Sequence, residues 1–242
     1  MAPDRTDRRE PGYFIGRSIL VPWIQHGFRN HSEGAENIPS EGPAIVAVNH
    51  ISVFDPLAVA YAIHKIGRRP RFLAKSSLFE APFVGWVLRT ARQIRVDRGS
   101  AKATDSIKFA IQALDEGEVV VIFPEGTTTV APDLEPLPPK TGVARLALAS
   151  GLPVIPCATW GGQWIWGYHV GFRPGLRKDV WVRFGKPLDL TEFRSRPETP
   201  ELWDQISDLI MTEIAVLLGG LKAAKPWTPR PLKKKKARGR AT

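Results

Sequence analysis

Cysteine is almost missing from this 242-residue chain: Cys157 stands alone. That excludes an internal disulfide framework and any zinc site built on clustered thiolates. It lies in Val154-Ile155-Pro156-Cys157-Ala158 and reads as a small buried hydrophobe. Long apolar runs are missing too. No stretch reaches the ~18 uninterrupted apolar residues of a spanning helix; the nearest, residues 13–28, is broken by Arg17, Pro22 and Gln25. The first ten residues are polar and charged, with no apolar core behind them, so no signal peptide is expected. There is no Gly-x-Ser-x-Gly, which removes the usual serine nucleophile, and no internal repeat. Acidic residues are absent from 222–242, a segment holding nine lysines and arginines. The formal charge of +10 is therefore mostly a tail property, and the rest of the chain is nearly neutral.

What is present is an alternation of apolar runs and helical patterns. Residues 44–48, 71–74, 118–123, 154–160 and 179–184 read as strands, mostly near-continuous apolar runs as expected of strands covered on both faces. Helical spacing marks 56–66, 100–116 and 142–150, and a helix opening at Thr199-Pro200-Glu201 is expected to stop at Gly219-Gly220. This predicts an α/β fold with a central, largely parallel sheet flanked by helices. Residues 1–34 are expected to form an N-terminal amphipathic segment, 35–221 the main domain and 222–242 a disordered basic tail. Within the first segment, residues 12–28 set Tyr13, Phe14, Trp23 and Phe28 among arginines. Such a helix either lies flat at a lipid surface or packs on the domain.

Three constellations carry chemistry. Asn49-His50-Ile51-Ser52-Val53-Phe54-Asp55 puts an imidazole and a carboxylate five positions apart, where the run 44–48 stops. Asp55-Pro56 reads as the start of a helix, with Asp55 as N-cap and Pro56 at the first helical position. An Asp able to swing back to the ring holds a neutral imidazole in one tautomer, ready to take a proton from a hydroxyl. The bland alternative is a polar strand end followed by an ordinary cap. The second constellation is Phe123-Pro124-Glu125-Gly126-Thr127, directly after a strand, where α/β folds bind ligands; Thr127, Thr128 and Thr129 can donate to anionic oxygens. Between the two lie Lys75, Gly85 and the run Ile94-Arg95-Val96-Asp97-Arg98. Their cations suit a phosphate, or are solvated surface charge.

In this order the pieces resemble the 1-acyl-glycerol-3-phosphate acyltransferases of the glycerolipid acyltransferase superfamily. His50 and Asp55 match the first block, Lys75, Leu78, Gly85 and Arg98 the second, Phe123 to Thr127 the third, and Leu152-Pro153-Val154-Ile155-Pro156 the fourth, over roughly residues 35–190. One departure stands out: members commonly carry arginine after the third block's threonine, and here the residue is Thr128. The resemblance implies transfer of a fatty acyl group from an acyl thioester to the free hydroxyl of 1-acyl-sn-glycerol 3-phosphate, without an acyl-enzyme. His50 would be the general base and Asp55 its orienting partner. Lys75 and Arg98 would hold the phosphate, Glu125, Gly126 and Thr127 the glycerol backbone, and Pro153 would shape the acyl channel. No metal or cofactor is implied, only an acyl-coenzyme A or acyl-carrier-protein thioester as co-substrate. Alternatives are another acceptor (glycerol 3-phosphate, a different lysophospholipid, a glycolipid) or a non-catalytic lipid- or nucleic-acid-binding protein. With a lipid substrate, the tail reads as a tether to an anionic membrane surface rather than a nucleic-acid arm, worth about 1 kcal/mol per basic residue. The chain is then expected to be peripheral on the cytoplasmic face. Trp160, Trp164 and Trp166 form either a membrane-facing rim or core packing.

Overall fold

The computed structural model describes residues 10–97, 103–168, 170–173, 175 and 177–226. After helix α1 (Pro11–Gly27) come strand β1 (Phe28–Glu33), β2 (Ala44–Val48), α2 (Asp55–Lys65), β3 (Pro70–Lys75), α3 (Pro82–Thr90), β4 (Ile94–Val96) and α4 (Ala103–Asp115). Then follow β5 (Val119–Ile122), α5 (Gly142–Ser150), β6 (Val154–Trp160), α6 (Gln163–Trp166), β7 (Gly171–Phe172), β8 (Lys178–Phe184), α7 (Thr191–Arg194) and α8 (Pro200–Ala224). Seven strands form one sheet in the order β1-β8-β6-β2-β5-β3-β4. Every pairing is parallel except that of β6 with β8.

The apolar runs form strands because both faces are covered. Along β2, Ala44, Val46 and Val48 join the core beneath α1 and α2, and Ile45 and Ala47 join the core beneath α4, α5 and α8. All five are buried, each large side chain contributing about 1.5–3 kcal/mol on full burial. The chain leaves β2 toward β3 in one direction along the sheet, and leaves the adjacent β5 toward β6 in the other. The carboxyl ends of these neighbours therefore flank the point where an open α/β sheet binds ligands.

Several expectations change. The sheet begins at Phe28, so residues 28–33 belong to it rather than to a separate N-terminal segment. Helix α1 packs on α3, and Glu10, just before it, meets the buried Arg71 of β3 at 2.7 and 2.9 Å. That is the packed arrangement of the two weighed for this segment. Helix α8 passes straight through Gly219-Gly220, because Leu218 and Leu221 are buried with Trp160. It reaches into the presumed tail, where Lys222 meets Glu135 at 2.6 Å. The rest of the tail, residues 227–242, lies outside the described residues. No described helix is long and apolar enough to cross a membrane.

Candidate active site

His50 follows β2 at its carboxyl end, and five contacts fix it. Its Nδ1 lies 3.0 Å from Asp55 Oδ2. That oxygen also accepts the backbone N–H groups of Ile51 and Ser52, both at 2.7 Å, while Ser52 Oγ donates to Oδ1 at 2.5 Å. An oxygen receiving two amide protons is an acceptor, so the proton in the His50 contact belongs to Nδ1, and Nε2 keeps its lone pair. Asp55 is not the N-cap: Phe54 holds that position, Asp55 is the first helical residue, and its carboxylate turns back over the loop. The ring of Phe123 stacks on the imidazole, with centroids 4.3 Å apart. Glu125 Oε1 accepts the backbone N–H of His50 at 2.6 Å, and the carbonyl of His50 accepts from Thr129 N at 2.8 Å. Thr128 Oγ1 stands 3.1 Å from Nε2.

Glu125 is buried and fully engaged. Its second oxygen accepts the N–H of Leu137 at 2.9 Å, so the carboxylate joins the His50 loop to the strand-following loop of β5. Burial pushes its carboxyl up to about 7, against the pull of those two amides. Gly126 adopts φ +69, and a β-carbon there would lie 3.1 Å from the Cδ and Cε of Lys140. Behind the dyad, a β-carbon on Gly162 would come within 2.3 Å of Ser52 Oγ and 2.9 Å of Asp55 Oδ1, so only glycine lets β6 end this close to the carboxylate. Asn49 completes the frame, exchanging hydrogen bonds of 2.7 and 3.2 Å with the backbone of Thr159.

His50 looks into a cavity of about 800 Å³. Its lining includes Leu20 and Val21 of α1, Leu57 of α2, Phe72 of β3 and Val87 of α3. It also includes Lys75, Thr127, Thr128, Lys140 and Arg145. Leu78, Phe83 and Val84 line the cavity and remain exposed, Phe83 by 67%, as do Lys75 and Lys140. The base nitrogen thus belongs to a cavity whose lining is mostly apolar and includes Lys75, Lys140 and Arg145.

The acyltransferase family model matches residues 29–160, which include His50, Asp55, Glu125 and Thr128. The chain belongs to the acyltransferase family. Several of its relatives carry the name 1-acyl-sn-glycerol-3-phosphate acyltransferase, a class of O-acyltransferases. The chain is 31% identical over 177 residues to a 1-acyl-sn-glycerol-3-phosphate acyltransferase of Borreliella burgdorferi, covering 72% of this chain and 68% of that one. A chloroplastic protein of the same name from Brassica napus is 28% identical over 156 residues, 64% of this chain. The chain spans only 44% of that plant protein's length. The crystal structure of the 1-acyl-sn-glycerophosphate acyltransferase of Thermotoga maritima shares the fold, with a TM-score of 0.61 at 23% identity, covering 94% of this chain and 86% of that one.

Against this family frame, His50, Asp55, Lys75, Gly126 and Thr127 come together around the cavity or the dyad, and Arg98 lies outside the described residues. Glu125 is adjacent but faces the backbone, where a glycerol contact was expected. Pro153 is displaced altogether. It precedes the amino end of β6, whose Val154 pairs with Ile45 and whose Cys157 pairs with Val48, so it lies at the opposite edge of the sheet from His50. It is exposed and does not line the cavity; the apolar walls come from α1, α2 and α3 instead. Trp160 is fully buried, and Trp164 packs edge-on against it at 5.9 Å, which is core packing. Trp166 is part-exposed beside Phe172, and none of the three tryptophans borders the cavity. Sequence reasoning missed Lys140, Arg145 and the contact of Thr128 with Nε2, none of which lies in a recognisable spacing with His50.

Proposed function

We propose that the chain transfers a fatty acyl group from an acyl thioester to the free hydroxyl of 1-acyl-sn-glycerol 3-phosphate, giving phosphatidic acid. The observation that carries this reading is His50 Nε2, its ring held through Nδ1 by Asp55, in a mostly apolar cavity that Lys75 and Lys140 also line. As the acceptor oxygen attacks the thioester carbonyl, its proton passes to Nε2; the C–S bond then breaks, and the thiolate takes that proton from the imidazolium. Asp55 holds the tautomer and stabilises the charged ring. Lys75, Arg98 and Lys140 hold the phosphate, and Gly126 and Thr127 border the glycerol. Glu125 acts through the His50 backbone, as a positioning residue. The acyl chain lies beneath α1, α2 and α3. The donor is a coenzyme A or carrier-protein thioester. The apolar rim of Leu78, Phe83 and Val84, with Phe14 and Ile19 exposed on α1, supports peripheral docking on an anionic membrane, and we assign that docking to the cytoplasmic face.

A second reading keeps the chemistry and changes the acceptor to glycerol 3-phosphate, another lysophospholipid or a glycolipid. Thr128, uncharged where relatives commonly carry arginine, favours it. Thiol release from an acyl-coenzyme A over this acceptor panel separates the two. His50→Ala is expected to cut release by about 10²–10⁴-fold with unchanged circular dichroism. Full release in that variant would overturn His50 as the base, and no release by the wild type over the whole panel would reduce the protein to a lipid binder.

A further inference from the structure

The base nitrogen is already occupied. With Nδ1 committed to Asp55, the ring has one lone pair left, on Nε2, and it accepts one hydrogen bond. The hydroxyl of Thr128 supplies that bond at 3.1 Å. The contact is built rather than incidental. Thr129 N donates to the His50 carbonyl at 2.8 Å and Thr129 Oγ1 to the Glu135 carbonyl at 3.1 Å, which fixes the neighbouring residue against the base. A β-branched side chain also has few alternative rotamers.

Resting on the reading of His50 as base, we infer that Thr128 caps Nε2 while no acceptor is bound, and so keeps water from being activated against the thioester. The side reaction suppressed is hydrolysis: a water proton goes to Nε2, its oxygen joins the acyl carbon, the C–S bond breaks, and free acid and thiol leave. Water arrives with no binding energy beyond its own hydrogen bonds. An acceptor brings an apolar chain for the chamber beneath α1, α2 and α3 and an anionic group for Lys75 and Lys140. Those remote contacts drive the rotation of the threonine hydroxyl off the nitrogen, and the acceptor hydroxyl takes its place. Thr128 is thus a positioning and selectivity residue for alcohol over water.

The test uses the full chain and palmitoyl-coenzyme A, with thiol release followed with and without lysophosphatidic acid. Cys157 is fully buried and contributes no rapid background to a thiol reagent. Thr128→Val, which keeps the branched shape, is expected to raise the ratio of acceptor-free to acceptor-dependent release by roughly tenfold, the scale of one net hydrogen bond. Thr128→Ser is expected to restore the wild-type ratio, and Thr128→Ala serves if the valine variant misfolds. An unchanged ratio in both hydroxyl-free variants, or no rescue by serine, overturns the cap. So does a palmitoyl adduct on Thr128 in intact-mass spectra of the wild type, which would make the hydroxyl a nucleophile. His50→Ala is expected to lose release in both settings. Retained release there would sink the base reading itself, whatever the threonine variants do.

Discussion

Replacing Asp55 with asparagine separates geometry from charge at the dyad. The amide oxygen can occupy the place of Oδ2 and still accept from Ile51 N and Ser52 N, both at 2.7 Å, and from His50 Nδ1 at 3.0 Å. The amide nitrogen then faces Ser52 Oγ, which turns from donor to acceptor. The three N–H donors to Oδ2 stay satisfied and the Ser52 hydroxyl proton loses its acceptor, at a cost of about 1–3 kcal/mol, so the melting temperature is expected to fall by several degrees while the fold is kept. What disappears is the negative charge facing the imidazolium. Two charges about 4 Å apart at an effective permittivity of ~20 interact by about 4 kcal/mol, which corresponds to roughly 10³-fold in rate. Initial thiol release at saturating palmitoyl-coenzyme A and lysophosphatidic acid, paired with a thermal melt, reads both quantities. An Asp55→Asn enzyme within tenfold of wild type would refute the role given to the carboxylate. Asp55→Ala is the weaker experiment, because it strands two buried amides at about 1–3 kcal/mol each and confuses unfolding with lost catalysis.

Glu125, Gly162 and the basic tail give three further outcomes. The folded chain holds the Glu125 proton up to about pH 7, above the usual carboxylate value of 4.5, so stability falls as pH rises between those limits. The stability difference between wild type and Glu125→Gln, followed by urea unfolding, is expected to decline by up to ~1.4 kcal/mol per pH unit across that window; a difference that grows with pH would contradict this. Gly162→Ala should push Ser52 and Asp55 aside and cost about 1–3 kcal/mol of stability together with most of the activity. A fully active, equally stable alanine variant would show that β6 can yield there. Removing residues 227–242, rather than 222–242, spares the Lys222–Glu135 pair and the Lys225 carbonyl that accepts the Trp160 indole at 2.8 Å. Sedimentation with anionic liposomes should then fall and lose its salt sensitivity, and unchanged binding would remove the tether.

The dyad was readable because its two members lie on one short segment, and β2 and β6 because unbroken apolar runs mark strands buried on both faces. Strand β1 gave no such signal: in Phe28–Glu33 only Phe28 is buried, and the rest pairs through backbone and through His31–Asp179 and Arg183–Glu33 contacts at the sheet edge. Helix α3 was also invisible as an element, since Pro82, Gly85 and the exposed Phe83 and Val84 obscure its period. The Gly219-Gly220 pair looked like a helix end, yet burial of its neighbours outweighs the roughly 1 kcal/mol each glycine costs. Pro153 was misplaced because order along the chain says nothing about which end of a parallel strand faces the site. The Thr128 contact spans 78 positions and depends on how one loop closes over another.

The double grip of Glu125 has a consequence for traffic through the site. It ties the main chain of His50 to that of Leu137, while Lys140 N binds the Pro124 carbonyl at 2.9 Å, so the loop after β5 is stitched shut across its own base. Were that loop the door, each opening would drag the imidazole off its aspartate. Under the proposed function, lipid traffic then falls to the side of Leu78, Phe83 and Val84, exposed apolar residues that line the cavity.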